Sequence, residues 1–585
     1  MPWLPLWLRT YQPTWLAGDL TAGLIVTVML IPQSLAYAML AGLPPEVGLY
    51  ASILPIVAYA LLGSSMTLAV GPVAVVSLMT ASALQPLAAA GSPDYVALAV
   101  QLSLISGVML LVFGALRLGF LAYFLSHPVI SGFITGSAVL IAVGQLRYII
   151  GVKVAGSDVL ETLAGLVKAL PQTQPATLVI GVSSLLFLLL ARRYLAQGLI
   201  RVGCSAKAAD LMTKLAPMVA VIASTALVAW FKLNETAGVS VVGHVPQGLP
   251  QLALSLPNMT TLGQLWLPAL LITLIGFVES VSVAQSLALK RQQRIEPNRE
   301  LLGLGAANVA SALSGGYPVT GGFSRSVVNF AAGANTPLAG VISAALMALV
   351  IAALTGLFHY LPHAVLAATI IVAVTSLIDL KTLKEAWHYD RSDALSLLAT
   401  ALGVVTLGVE AGILTGVVLS LGVLVWRSSH PHMAVVGRVP GSEHFRNIKR
   451  HAVETVPGLL ALRVDESLFF ANATILEDYI EKLLTDDPSL RYVLLICSAV
   501  NQVDTTALGV LTQLERSLSA RGMTFALAEV KGPVMGRLRT TELGQRLTGK
   551  VFMSVHEAFE HATRSGEPPV PDKEGLALVG INGSK

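Results

Sequence analysis

Two ionisable side chains stand inside otherwise apolar runs of this chain. Arg325 follows Gly321-Gly322-Phe323-Ser324, and Glu279 lies within Gly276-Phe277-Val278-Glu279-Ser280. A charged group in apolar surroundings faces a partner, a cavity or a bound ion. Arg325, flanked by the hydroxyls of Ser324 and Ser326, could add positive potential to an anion site. A salt bridge to Glu279, or extension into an aqueous cavity, would account for it as well. Glu279 has three readings. It binds and releases a proton, it holds a cation, or it is the buried partner of Arg325. A carboxyl taken out of water favours its neutral form, which suits proton carriage. A polar pair, Gln33 and Tyr37, sits one turn apart in Ile31-Pro32-Gln33-Ser34-Leu35-Ala36-Tyr37-Ala38, where Pro32 should kink a helix. The pair could line a pocket or make a polar helix–helix contact.

The elements that would hold these residues are marked by glycine and proline. Ala69-Val70-Gly71-Pro72-Val73 opens one short apolar segment, and Tyr317-Pro318-Val319-Thr320-Gly321-Gly322 opens another, which contains Arg325. A matched pair of short, Gly/Pro-interrupted segments points to a transporter site built from inverted repeats. A helix that starts in mid-membrane exposes backbone N–H groups and the positive end of its dipole. Two such starts facing each other make an anion site.

Composition supplies the setting. Of 585 residues, 54% are hydrophobic and 12% charged, against about 25% charged in soluble domains. A membrane helix takes about 20 apolar residues. Fourteen segments are expected, at 17–40, 47–62, 72–88, 95–116, 128–150, 176–191, 213–231, 264–289, 301–314, 322–334, 337–358, 363–379, 393–408 and 410–426. They divide into two sets of seven, repeat one over about 10–235 and repeat two over about 260–428 of a transmembrane domain spanning 1–429. Because seven is odd, the second set enters the membrane from the opposite side. Thirteen Lys and Arg fall in loops after even-numbered segments and four in loops after odd-numbered ones, so both termini are expected to be cytoplasmic. Met1 to Thr10 has no small-residue cleavage site, and the first segment is read as retained. Asp19 and Glu410 lie near segment ends and read as cap or interface groups.

Beyond the last segment the pattern changes. Residues 430–457 read as a polar linker. Residues 458–565 alternate strand-like runs (Leu459–Val464, Tyr492–Ile496, Thr524–Val530) with helix-like runs (Ala473–Leu484, Ala507–Ala520, Val534–Leu547), the pattern of a compact cytoplasmic α/β domain. The tail, 566–585, reads as flexible. The net charge of +4 is small and no basic stripe with interleaved aromatics occurs, so a nucleic-acid partner is not expected. Cys204 and Cys497 have no metal-ligand spacing. No Walker A loop, zinc motif or nucleophile–base pair is present. An enzyme is therefore not expected, and neither is a catalytic residue, a cofactor or a metal site.

Taken together, these segments resemble the sulfate permease (SulP) family of anion transporters. The Pro32–Ala38 run is similar to that family's first-helix signature, and Gly42-Leu43-Pro44-Pro45 with Gly48-Leu49-Tyr50 is similar to the loop after it. Val70-Gly71-Pro72 matches the third-helix start. Asn298-Arg299-Glu300-Leu301 with Gly303, Gly305 and Asn308 resembles the ninth-helix signature, and Ser324-Arg325-Ser326 the tenth-helix motif. The C-terminal region resembles a STAS domain, whose strand-to-helix turn is Val503-Asp504-Thr505-Thr506-Ala507-Leu508-Gly509 here. The resemblance implies a core and a gate domain formed by the two repeats, a homodimer in a bacterial inner membrane, and a possible cytoplasmic protein partner for the STAS-like domain. It maps the anion site onto Gln33, Tyr37, Val73, Ala74, Ser324 and Arg325, and matches Glu279 to the acidic position of the eighth helix. Sodium-coupled members carry a hydroxyl one turn after that acid. Val283 stands there in this chain, which argues for proton coupling instead. Thr505 matches the phosphorylatable position of STAS domains, while Asp504 or Thr505 as a plain helix cap is the simpler reading.

The function expected is secondary active transport of a small anion, sulfate first, by proton symport and alternating access. Bicarbonate and dicarboxylates such as fumarate or succinate are alternative substrates. An uncoupled exchanger or channel of the same fold is an alternative mechanism, disfavoured by a titratable Glu279 in mid-segment. A nucleobase permease shares the repeat fold, but Arg325 and the STAS-like domain argue against it.

Overall fold

The computed structural model describes residues 5–123, 126–154, 159–250, 252, 255–547 and 550–565. The tail read as flexible, 566–585, lies outside them. The chain divides into two compact units, Met1–Ser420 and Leu421–Lys585.

The first unit is helical. Among the described residues, eight helices are long and apolar enough to cross a membrane, from Pro13–Leu40 to Val409–Ser429. Three shorter apolar helices, Ala74–Leu84, Ala216–Phe231 and Leu338–Ala353, accompany them. Each of the fourteen expected segments coincides with helix. The second is divided into Pro45–Tyr50 and Leu54–Leu62. Its break falls at Ala51-Ser52-Ile53, just before Pro55, which cannot donate to the preceding turn. The first helix, Leu16–Leu40, runs on through Pro32. Gly48 lets the second segment press against it, because a Cβ there would sit 1.9 Å from the Ser34 carbonyl oxygen. Many outward side chains are apolar and uncovered, such as Val179, Trp230 and Val418 at 67%, 84% and 67% exposure. Such a surface suits lipid rather than water.

Two charged residues are folded inward as structural ties. Asp19, read from sequence as a cap or interface group, is fully buried. It accepts hydrogen bonds from the Asn335 and Thr336 amides (2.6 and 3.0 Å) and the Thr336 hydroxyl (2.7 Å), joining the first helix to the loop before Leu338–Ala353. Glu300 is also fully buried and accepts from the Tyr59 hydroxyl, the Ser64 amide and hydroxyl and the Ser65 amide. Both satisfy the rule that a buried carboxylate needs several donors.

The first unit holds two short strands, β1 (Val70–Gly71) and β2 (Thr320–Gly321), and the second unit contains a sheet built from β3 (Met433–Arg438), β4 (Phe445–Asn447), β5 (Leu459–Val464), β6 (Tyr492–Ile496), β7 (Thr524–Ala528) and β8 (Val551–Phe552). The order of these six strands is β4-β3-β5-β6-β7-β8. β5 to β8 are parallel, and β3 and β4 add an antiparallel edge. Alternate residues serve two faces. Leu460, Leu462, Val493 and Leu495 pack against helices Ala473–Asp486 and Thr505–Ala520. Ala461, Leu494 and Ile496 pack on the other side with Val555 and Ala558 of Val555–Ser565. The stretch read as a linker is thus partly sheet, since residues 433–447 supply β3 and β4. Ala434 and Val436 bury on one face of β3, and this short alternation is easily lost among the polar residues around it.

Candidate anion site

The two short strands β1 and β2 pair antiparallel within the first unit, Val70 opposite Gly321 and Gly71 opposite Thr320. Each leads into a half-helix, Ala74–Leu84 after β1 and Phe323–Ala331 after β2. The chains therefore cross in opposite directions and leave as helices whose N-termini meet at the crossing. Neither N-terminus is capped by a side chain, Val73 standing at one N-cap and Gly322 at the other. Elsewhere, Ser92, Asn258, Asp379 and Asp390 cap their helices with side-chain oxygens. The first-turn N–H groups at the crossing are left for another acceptor.

Polar side chains lock the crossing in place. Thr320 Oγ1 lies 2.7 Å from the Gly276 carbonyl, to which it donates, and 2.7 Å from Ser280 Oγ, while Gly321 N–H donates to Ser280 Oγ at 2.9 Å. Asn308 both donates to and accepts from the Val319 backbone at 2.9 Å. The Tyr317 and Ser77 hydroxyls pair at 2.8 Å. Sequence reasoning named Asn308, Tyr317, Thr320 and Ser280 within motifs but gave none of them this role, and Ser77 was not singled out. Pairing between segments some 250 positions apart leaves no local pattern to read.

Arg325 lies beneath the crossing and is 2% exposed. Its Nη1 donates to the Pro72 carbonyl at 3.2 Å and its Nη2 to the Ala69 carbonyl at 3.4 Å, while Nε has no partner. Among the described residues no carboxylate forms an ion pair with it, so the salt bridge to Glu279 considered from sequence is not formed. The guanidinium is held by the neutral carbonyls of Ala69 and Pro72, which lie just before the other half-helix. Gly71 makes room for it, with φ at 152° and an added Cβ only 3.2 Å from Nη2.

A cavity of about 540 Å³ lies over the second half-helix. Gln33, Tyr37, Phe323 and Ser324 line it, with Arg192, Asp210 and Lys214 also in its wall. Arg192 enters from a π-helical turn, Ala191–Leu195, and donates to the Val372 carbonyl at 3.0 Å. Lys214 pairs with Asp210 at 2.7 Å. Of the residues mapped to the anion site, Gln33, Tyr37 and Ser324 share this cavity. Arg325 stands behind the half-helix, and Val73 and Ala74 belong to the crossing rather than to the wall. Arg192 and Lys214 were read only as loop charges.

Glu279 points elsewhere. It borders a void of about 20 Å³ lined by Val129, Ile130, Phe133 and Ile134 of helix His127–Ile150 and by Ile413. Its Oε2 is buried with no hydrogen-bond partner. The next residue, Ser280, faces the crossing, so the same helix turn touches both places. In the second unit, Asp504 caps Thr505–Ala520: Oδ1 accepts from Ala507 N–H at 2.8 Å and Oδ2 from Phe470 N–H at 2.9 Å. Thr505 is exposed at the start of that helix.

Comparison with known proteins places this geometry. The sulfate permease family pattern matches residues 16–400, and the STAS domain pattern matches residues 450–558. The sulfate transporter 4.1, chloroplastic, of Arabidopsis thaliana is 34% identical over 571 residues, covering 95% of this chain and 81% of that protein. A probable sulfate transporter of Mycobacterium tuberculosis is 36% identical over 558 residues, covering 94% and 96%. Among solved structures, the murine Solute Carrier 26 family member A9 anion transporter in the inward-facing state superposes with a TM-score of 0.87 at 22% identity, covering 96% of this chain and 94% of that one. The transmembrane domain of a cyanobacterium bicarbonate transporter, BicA, gives 0.59 at 24% identity over 69% of this chain and 98% of its own.

Proposed function

The chain belongs to the sulfate permease family, and from that premise we propose that it carries sulfate across its membrane by alternating access, in symport with protons. It is a multi-pass anion transporter, not an enzyme. The observation that carries the reading is Arg325, a buried guanidinium with only backbone carbonyls as partners, set where two uncapped helix starts meet. A buried cation without a counter-charge is costly unless an anion shares its site. A dianion at the crossing would collect free N–H groups from both half-helices and the potential of Arg325 without needing a direct lysine or arginine contact. Ser324, Gln33 and Tyr37 would supply its remaining contacts from the cavity wall.

Sulfate is favoured because relatives at 34–36% identity over nearly the whole chain are sulfate transporters by name. Proton coupling rests on Glu279, whose unpaired carboxyl faces apolar side chains across a narrow void. In this reading the fourteen segments form two inverted repeats of seven. A core carrying the crossing moves against a gate that includes His127–Ile150 and Val409–Ser429, and Glu279 lies between the two. With both termini cytoplasmic, the cavity bounded by Arg192 and Lys214 opens inward. A homodimer in the inner membrane, a cytoplasmic partner for the STAS domain and phosphorylation of Thr505 are parts of the same proposal.

The test is radiolabelled sulfate uptake into proteoliposomes, with and without an inward proton gradient, for the wild type and Glu279→Gln. Gradient-driven accumulation that Glu279→Gln abolishes is the expected result. Uptake indifferent to both would end the symport reading and leave an exchanger or channel. Absence of sulfate uptake, with uptake of bicarbonate or fumarate, would keep the mechanism and change the substrate.

A further inference from the structure

We infer that Asn329 is a positioning residue for Arg325 and acts through a water molecule held between Asn329 Oδ1 and Arg325 Nε in a small void behind the second half-helix. The inference rests on the reading of Arg325 as the cation of the anion site. Three observations carry it. Asn329 and Arg325 lie four residues apart on one helix, so their side chains share a face. Both border the same void of about 20 Å³, together with Tyr59, Ala69 and Val70. Arg325 Nε and Asn329 Oδ1 are both buried without a hydrogen-bond partner, in residues 2% and 4% exposed.

The two orphaned atoms are complementary. Nε–H can only donate, and Oδ1 can only accept. The amide orientation of Asn329 is fixed independently, because its Nδ2 donates to the Thr67 carbonyl at 3.0 Å. Oδ1 therefore has no other use. A void of this size holds about one water, provided it has polar partners. A water accepting from Nε–H and donating to Oδ1 satisfies both atoms.

The consequence is geometric. Nη1 and Nη2 are held by Pro72 and Ala69 at 3.2 and 3.4 Å, both long for charge-assisted bonds. Nε supplies the third point that fixes the guanidinium plane. Ser326, next to Arg325 and three residues before Asn329, clamps the same opposing segment, its Oγ accepting from Ala69 N–H at 2.9 Å. Arg325, Ser326 and Asn329 thus fix residues 67–72 from one side, and Asn329 is the member that reaches Arg325 from behind.

The experiment measures sulfate binding per mole of folded, full-length protein for the wild type, Asn329→Leu and Asn329→Asp, beside a cryo-EM map of the wild type that resolves ordered water. Asn329→Leu keeps the size and removes the acceptor, together with the Nδ2 donor to Thr67, which Asn329→Asp also lacks. It should weaken sulfate about tenfold, the loss of one hydrogen bond to a charged group. Asn329→Asp keeps the acceptor but sets a carboxylate beside Arg325 in competition with the anion. It should weaken sulfate more, about a hundredfold. A purely structural Asn329 would lower the folded yield of both and leave the affinity of the folded fraction unchanged. That result, or a map without density between Nε and Oδ1, would overturn the inference. If the wild type binds neither sulfate nor another anion, the transport reading fails instead, and the map alone decides whether the water is there.

Discussion

The two half-helices share a backbone plan and differ in what they bring to it. Ala74–Leu84 starts with Ala-Val-Val and is buried along most of its length, whereas Phe323–Ala331 starts with Phe-Ser-Arg-Ser and leaves Phe323 and Ser324 open to the cavity. Both supply an uncapped N-terminus, and only one supplies a charge. In the proposed site, attraction for an anion would thus be divided unequally. The dipoles are a property of the paired half-helices, while the arginine belongs to one of them and leans on the Ala69 and Pro72 carbonyls before the other. The first half-helix serves as an anchor, and the second contacts the cavity.

The largest break in that comparison is the removal of the charge. Arg325→Ala should weaken sulfate about a hundredfold or more, since bonds to charged groups contribute about 1.5–3 kcal/mol each and each 1.4 kcal/mol is about tenfold. The KM for uptake in proteoliposomes measures it. A KM within about threefold of wild type would mean that the dipoles suffice and that Arg325 is structural.

Next come the glycines beside the guanidinium. Gly71→Ala places a methyl 3.2 Å from Arg325 Nη2 and also forces a φ of 152° on a residue with a side chain. The backbone strain alone is about 1–3 kcal/mol. Gly322→Ala meets the same nitrogen at 3.2 Å, but its φ of −88° is open to any residue. Both substitutions should raise KM, and Gly71→Ala should lower Tm further. The reverse order in Tm would show that the strand Val70–Gly71 is packed at the crossing more loosely than its burial implies.

The serines on either side of Arg325 divide binding from stability. Ser324 is exposed to the cavity, whereas Ser326 is buried and receives the Ala69 amide. Ser324→Ala should raise KM about fivefold, the loss of roughly 1 kcal/mol, with Tm held. Ser326→Ala should lower Tm with a smaller change in KM. Matching effects on both quantities would deny that the two faces of this half-helix have separate duties.

Much of this arrangement was legible in the sequence, for physical reasons that also set its limits. Gly71-Pro72 and Gly321-Gly322 were visible because interrupted apolar runs are rare and these two occupy corresponding places. The strands at Leu459–Val464 and Tyr492–Ile496 were visible because runs of buried aliphatics between turns are distinctive. The break inside 47–62 was not, because an apolar run has no periodicity to interrupt when every face is covered. Helices Val159–Ala169 and Leu380–Tyr389 were missed among loop residues, since Lys168, Lys381 and Lys384 drew attention to charge rather than to amphipathic spacing. Asn329 was overlooked although it sits one turn after Arg325, a spacing that signals a shared face. What no sequence pattern offers is the direction of Glu279. Whether it meets Arg325 or the far wall depends on a rotation of Met259–Leu289 that only the packing of Ser280 against Thr320 reveals.

The smallest effect expected lies at the contact that joins the two half-helix regions without touching the ion. Tyr317 precedes β2 and its hydroxyl meets Ser77 in the first half-helix at 2.8 Å, both residues being fully buried. Tyr317→Phe removes one hydroxyl and keeps the ring, so only the hydrogen bond and the satisfaction of Ser77 are lost. The cost should be about 1 kcal/mol in stability. Ser77→Ala should cost a similar amount, and the double variant should cost little more than either single one, because the first substitution has already removed the shared bond. KM should not change in any of the three, since neither hydroxyl faces the cavity. Thermal unfolding and uptake, measured on the same preparations, separate the outcomes. If KM rises with Tyr317→Phe while Tm holds, the contact tunes the site rather than the scaffold. The first half-helix would then take part in reading the anion, and the two half-helices would share that duty rather than divide it unequally.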